Sequence, residues 1–294
     1  MKLFVFGVGY SSQAFIRAVK PQFMHIAGTV RSQQKANVLA PLKMTTRIFD
    51  RNIASAKIED DLAEADACLV SIPPDVNGDP VLNVFSKALA DAQHLKWIGY
   101  LSTVGVYGDH QGEWVDENTP CRPTSERSTV RLKVENQWLN FARDTEKTVH
   151  IFRLSGIYGA DKNALINLKN GTARRIIKPL QVFNRIHVED IAGALRCAFN
   201  MTIDKSAPSS IYNLTDNEPA PPQDVVAYAA QLMGLPIPPD IAFEHAPLTE
   251  MGRSFYSENK RVSNKHLKHD LGYSFAYPTY REGLTQAHKL INAT

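Results

Sequence analysis

The sequence predicts an α/β fold built on a doubly wound parallel sheet, and three observations carry that expectation. Strand-like and helix-like segments alternate through roughly the first half of the chain. The strand-like segments are continuous apolar runs, as strands buried on both faces require. The first of them stops at a glycine cluster and gives way to a helical pattern. Alternation joined by right-handed crossovers places helices on both faces of one sheet.

Lys2–Phe6 reads as the first strand, and it ends at Gly7-Val8-Gly9-Tyr10-Ser11-Ser12. Ala14, Phe15, Ile16, Ala18 and Val19 then recur at helical spacing. Gly7 permits a tight turn, and Gly9 lets the backbone approach a bound group because no Cβ intervenes. The unpaired N–H groups at the helix start would face a pyrophosphate, with Tyr10 nearby and Ser11 and Ser12 adding hydroxyl donors. Ser12 stands where the third glycine of such a fingerprint packs helix on strand, a place that accepts a small residue. A buried strand before any tight turn gives a similar pattern. The order strand, glycine turn, helix is what favours a dinucleotide.

His25–Val30 reads as the second strand and closes on Arg31-Ser32. A carboxylate here would accept from ribose hydroxyls, whereas a guanidinium and a hydroxyl suit a 2′-phosphate. NADP(H) is therefore expected over NAD(H); a plain surface arginine is the alternative. Residues 47–50 read as a short strand, with Asp50 placed to meet an adenine amino group. A helix over 53–65 follows, then a strand over 67–72 stopped by Pro73-Pro74. That stop leaves Ser71 and Pro73 at the carboxyl edge, where open α/β sheets bind ligands. A helix over 81–91 and a strand over 96–101 complete the alternation.

At this point the chain resembles a known family. Ser102-Thr103-Val104-Gly105-Val106-Tyr107-Gly108 resembles the S-[ST]-x-x-V-Y-G segment of the extended short-chain dehydrogenases/reductases, the group of NAD-dependent epimerases and dehydratases. Phe152-Arg153-Leu154-Ser155-Gly156-Ile157-Tyr158-Gly159 resembles their sixth strand and the loop after it. Arg185-Ile186-His187-Val188-Glu189-Asp190-Ile191-Ala192 resembles their H-V-x-D-[VI]-A helix start. Tyr212-Asn213-Leu214, residues 260–264 and Leu271-Gly272-Tyr273 resemble their later segments. The resemblance spans essentially the whole chain. It implies a Rossmann domain over 1–160, to which 184–200 returns, and a smaller substrate lobe over 161–294.

The family's Tyr-x-x-x-Lys motif is replaced. Aligned on Pro123-Thr124-Ser125 and Glu135, Arg127 takes the tyrosine position and Arg131 the lysine position. A tyrosine beside a cation can release and regain a proton, but a guanidinium stays charged. Arg127 therefore cannot inherit the acid/base role, while Arg131 can still hold ribose or developing negative charge. The resemblance places Thr103 on the reacting oxygen and Ser155 near the cofactor. Tyr107 and Tyr158 are the candidate proton donors, although tyrosines in such loops are often packing residues. Lys133 should point away from the cleft. This is the pattern of an atypical member.

Other features favour plainer readings. Val130, Val134, Trp138 and Phe141 form a stripe on a helix over 129–141, read as core first and as the face of a homodimer second. His187, Glu189 and Asp190 fit helix capping and dipole complementarity better than a metal site. Arg174 and Arg175 suit either a phosphate or solvent. The net charge of +3 and the lack of basic runs suggest no nucleic-acid partner, and no apolar stretch approaches a membrane span. Cys68, Cys121 and Cys197 lack metal-ligand spacing. The expected protein is cytoplasmic. It binds NADP and acts on a small carbonyl- or hydroxyl-bearing substrate, an epimerase or dehydratase subclass resting on resemblance alone; the rival is a non-catalytic NADP(H) sensor.

Overall fold

A computed structural model describes residues 1–50, 53–205 and 207–292. Seven parallel strands form its central sheet, in the order Ser210–Leu214, Thr148–Leu154, Trp97–Thr103, Ala67–Val70, Lys2–Phe6, His25–Val30 and Thr45–Asp50. The strand order reverses beside the first strand, which pairs with His25–Val30 on one side and Ala67–Val70 on the other. A crevice at the carboxyl ends of the strands is the geometric consequence of that reversal.

Strand alternation divides the core into two layers. Leu3 and Val5 point to the layer holding Trp97, Phe152 and Phe199, which the helices Tyr10–Val19 and Val188–Lys205 cover. Phe4 and Phe6 point to the opposite layer, with Phe85, Tyr100 and Trp138. Val134 and Trp138 of the helix Glu126–Thr145 are buried there and Phe141 packs beside them, so these three residues of the stripe are core. Asp79 ties two helices of that layer together. It accepts from Val81 N at 2.7 Å at the start of Pro80–Asp91, and from Trp138 Nε1 at 3.1 Å.

Two expectations are corrected. The helix expected over 53–65 exists only as Lys57–Ala63. Ile53–Ala54 pairs antiparallel with Phe49 and Asp50, and Ser55 N reaches Ile48 O at 3.0 Å, so backbone pairing with the strand claims these residues first. The strand Ser210–Leu214 completes the sheet beside Thr148–Leu154, and the helix Lys265–Leu271 packs on it through Leu267, so the Rossmann unit draws on more of the chain than 1–160 and 184–200. The smaller lobe has its own core, including Leu165, Val225, Ala229 and Leu284.

One buried histidine makes stability depend on pH. His150 Nδ1 accepts from Trp97 Nε1 at 3.0 Å, and Nε2 lies 3.0 Å from Pro208 O. Those partners require the neutral ring with its proton on Nε2. Burial lowers its pKa from 6.5 to about 4. The unfolded chain takes up this proton below pH ~6.5 and the native state only near 4, so stability falls as pH drops through that window. The stability advantage of the wild type over His150→Gln in urea unfolding is expected to shrink by up to ~3 kcal/mol between pH 7 and pH 4. A constant advantage would contradict the neutral assignment.

Candidate functional site

Gly7 and Gly9 form the floor of a crevice of about 350 Å³. Gly7 has φ +83, and a Cβ there would meet Ile72 Cγ1 at 2.8 Å, so the turn requires glycine. Gly9 differs: a Cβ on it would meet nothing within 4 Å. The turn is fastened from behind. Gly7 N donates to Thr29 Oγ1 at 2.8 Å, Val8 N donates to Thr29 O at 3.0 Å, and Ser12 Oγ donates to Gly7 O at 2.9 Å. No side chain caps the helix that starts at Tyr10, so its first N–H groups remain available to an anion.

The far end of the crevice is lined by Arg31, Lys35 and Asp50, and its near end by Ser71, Ile72 and Pro73. Arg31 and Asp50 are exposed side chains. Lys35 was not anticipated. It lies on the helix Gln33–Val38, and the periodicity of so short a helix gave no sign of its direction. Ser32 caps that helix, accepting from Lys35 N at 3.3 Å, and is not on the crevice wall.

A second, larger cleft of about 950 Å³ opens between the sheet edge and the smaller lobe, and Ser71 lines both spaces. Ser11, Thr103, Arg127, Arg131 and Ser155 lie on its wall. Thr103 Oγ1 accepts from Gly105 N at 3.1 Å. Arg131 Nη1 donates to Leu101 O at 2.8 Å and Tyr100 Oη at 3.3 Å, while its Nε is buried without a partner. Ser155 Oγ is likewise buried and unpartnered. Arg127 is exposed one helical turn before Arg131, and Lys133 is exposed as expected.

Several expected ligands do other work. Ser12 spends its hydroxyl on the Gly7 carbonyl, locking the turn rather than offering a donor outward. Tyr10 lies off both walls; burial and a hydrogen bond to Asp161 raise its pKa, and its hydroxyl sits where a Cβ on Gly159 would fall. Tyr107 is sealed in the core at 0% exposure. It donates to Asn213 Oδ1 at 2.8 Å and accepts from Arg153 Nη1 at 2.9 Å, so the expected proton-donor role has no route to the cleft. Burial also pushes its pKa well up, against Arg153. Tyr158 does line the cleft, but its hydroxyl donates to Thr279 O at 3.2 Å and burial raises its pKa. His187 caps its own helix as expected, accepting from Glu189 N at 3.2 Å, and its ring packs against Tyr277, while Asp190 accepts from Ala276 N and Tyr277 N and so also fastens the loop before the last helix. Among the described residues no group of three or more His, Cys, Asp or Glu could hold a metal ion.

A buried polar network behind the cleft was missed. Arg153 Nη2 meets Glu135 Oε2 at 2.7 Å, with the two side chains 4% and 1% exposed. Ser102, on the cleft wall, donates a short hydrogen bond to the same carboxylate. The available signal was Arg153 itself, a charge inside the apolar run Ile151-Phe152-Arg153-Leu154.

The parallel sheet, its order reversal and the glycine turn define a Rossmann-like α/β architecture. No protein-family model matches the chain, and no curated protein matches it. Solved structures do. A functionally unknown conserved protein from Silicibacter pomeroyi is 42% identical over 99% of both chains, with a TM-score of 0.88. The chain belongs to the same family as that protein. A Methylobacillus flagellatus protein described as a candidate NAD-dependent epimerase/dehydratase shares the fold at 24% identity, over 99% of this chain and 98% of its own, with a TM-score of 0.74. The dTDP-glucose 4,6-dehydratase of Bacillus anthracis, solved in complex with NAD, shares it at 15% identity, over 100% and 97%, with a TM-score of 0.77.

Proposed function

We propose that the chain binds NADP(H) across the Gly7–Gly9 turn and acts as an atypical short-chain dehydrogenase/reductase. Its substrate is small and carries a carbonyl or hydroxyl group. The observation that carries this reading is the unfilled space over Gly9, in a crevice lined by Arg31 and Lys35 that shares the Ser71 wall with the larger cleft. Two cations at the adenosine end of a dinucleotide laid along this crevice suit a 2′-phosphate. The NAD in the Bacillus anthracis structure supports a nicotinamide dinucleotide in this fold. Gly7, Gly9 and the helix start would hold the pyrophosphate, Asp50 the adenine, and Arg131 with Ser155 the nicotinamide half. Bound there, the cofactor supplies or accepts a hydride. Thr103 would orient the substrate oxygen, and Arg131 would stabilise negative charge developing on it. The smaller lobe, which brings Val225 and Leu284 to the cleft, would contribute the outer wall.

A second reading is a non-catalytic NADP(H)-binding sensor. It draws support from Arg127 at the usual tyrosine position and from Tyr107 and Tyr158, whose hydroxyls are already engaged. Turnover of a panel of aldehydes and ketones with NADPH separates the two readings.

The cofactor preference is directly testable. Arg31→Asp is expected to weaken NADPH binding on the order of tenfold to a hundredfold, the worth of one charge-assisted contact, and to spare NADH. Fluorescence titration with both cofactors checks this. An equal loss for both would show that Arg31 does not meet the 2′-phosphate.

A further inference from the structure

We propose that Arg185 is an anion-binding residue of the larger cleft, so that the substrate carries a carboxylate or phosphate group that meets this guanidinium. The inference deepens the reading of the cleft as the substrate site and rests on it.

Five cations line the cleft: Arg127, Arg131, Lys162, Arg185 and Lys260. Most are accounted for. Lys260 is neutralised by Glu258 at 2.6 Å and also donates to Gly108 O. Arg131 likewise has only neutral partners, Leu101 O and Tyr100, but it lies at the sheet edge in the part of the cleft assigned above to the nicotinamide, while Arg127 and Lys162 are exposed to solvent. Arg185 stands apart. Its Nη1 donates to Phe183 O at 2.9 Å and Ala220 O at 3.1 Å, which fix the side chain in place but bring no negative charge. Among the described residues it forms no ion pair. A guanidinium has five N–H donors, and those on Nε and Nη2 meet no protein acceptor here.

Its surroundings are aromatic. The guanidinium carbon lies 6.0 Å from the centre of the Tyr280 ring, and its charge is also felt at Tyr158 and Tyr256. All three rings line the cleft. The hydroxyls of Tyr256 and Tyr280 make no hydrogen bond among the described residues, so two O–H donors accompany the unused N–H groups. Burial lowers the Arg185 pKa, as expected of a cation stripped of water. Asp216 is the nearby carboxyl. Burial raises its pKa to about 7, so near neutrality it cancels only part of the charge. A fixed, planar, under-compensated guanidinium flanked by hydroxyls recognises an oxyanion.

The test uses protein saturated with NADP, so that added anions cannot report on the glycine turn. Thermal melting is followed against sodium phosphate and against sodium malonate, with sodium chloride at matched ionic strength. Phosphate or malonate is expected to raise the melting temperature beyond chloride, the more effective anion naming the group. Arg185→Met should weaken that protection on the order of tenfold or more and leave NADPH affinity unchanged. Arg185→Lys should retain part of it. Because Arg185→Met also frees two carbonyls and could unfold, Tyr256→Phe provides a milder variant, expected to weaken anion protection a few-fold with an unaltered melting temperature in chloride. A crystal soaked in tungstate should show the ion within hydrogen-bonding distance of Arg185. Protection that is absent in the wild type, or that survives Arg185→Met, or tungstate found only elsewhere in the cleft, overturns the proposal. If NADP fails to bind while Arg185-dependent anion protection persists, it is the dinucleotide reading that fails and the anion site that stands.

Discussion

Glu135→Ala is expected to lower stability by roughly 3–5 kcal/mol, the loss typical of breaking one side of a buried ion pair. The reason is what remains behind. Arg153 is held at Glu135 by three hydrogen bonds of 3.3, 3.1 and 2.7 Å, and removal of the carboxylate leaves a guanidinium in the core with the Tyr107 hydroxyl and the Cys121 thiol, both uncharged, as near partners. Ser102 loses its acceptor as well. For a chain of this size the loss should appear as a fall in melting temperature on the order of 10 °C. The double variant Glu135→Leu with Arg153→Met should recover most of it, because the cost lies in the unpaired charge more than in the absence of the pair. Urea unfolding of the two single variants and the double variant gives the coupling energy. A single-variant loss below about 1 kcal/mol would mean that the network is not closed to water.

The second large effect separates binding from folding within one turn. Gly9→Val should leave stability nearly unchanged, since Gly9 has extended backbone angles and open space around its Cβ position. The valine would occupy the place the pyrophosphate needs, so NADPH binding should fall at least about a hundredfold. Gly7→Ala should behave differently. Its positive φ and the contact with Ile72 predict a stability loss of roughly 1–3 kcal/mol together with weakened binding. Calorimetric titration beside thermal melting reads both quantities. If Gly9→Val binds NADPH like the wild type, the space above Gly9 is not where the cofactor lies.

The sheet was readable because its signals are local. Lys2–Phe6, His25–Val30 and the Gly7–Gly9 turn announce themselves within a few residues, and strand–helix alternation leaves few topologies open. The crevice wall followed for Arg31, Asp50, Ser71 and Pro73, each at the carboxyl end of a strand. What sequence reading missed depends on contacts between distant segments. Ser12 looked like a donor toward the ligand, but its rotamer turns to Gly7 O. Tyr107 sits in a loop that reaches the cleft through Thr103 and Gly105, yet the short helical turn Val104–Tyr107 carries its ring inward to Arg153 and Asn213. Arg185 sits beside a recognisable helix start, and only the approach of the Phe183, Ala220 and Tyr280 segments gives it a role.

Calorimetric titration of the wild-type chain with NADP bears most directly on the claim that a dinucleotide spans the glycine turn. Saturable binding at one site per chain is expected, far tighter for NADP than for NAD. No saturable heat with either cofactor, up to concentrations on the order of 1 mM, would contradict it.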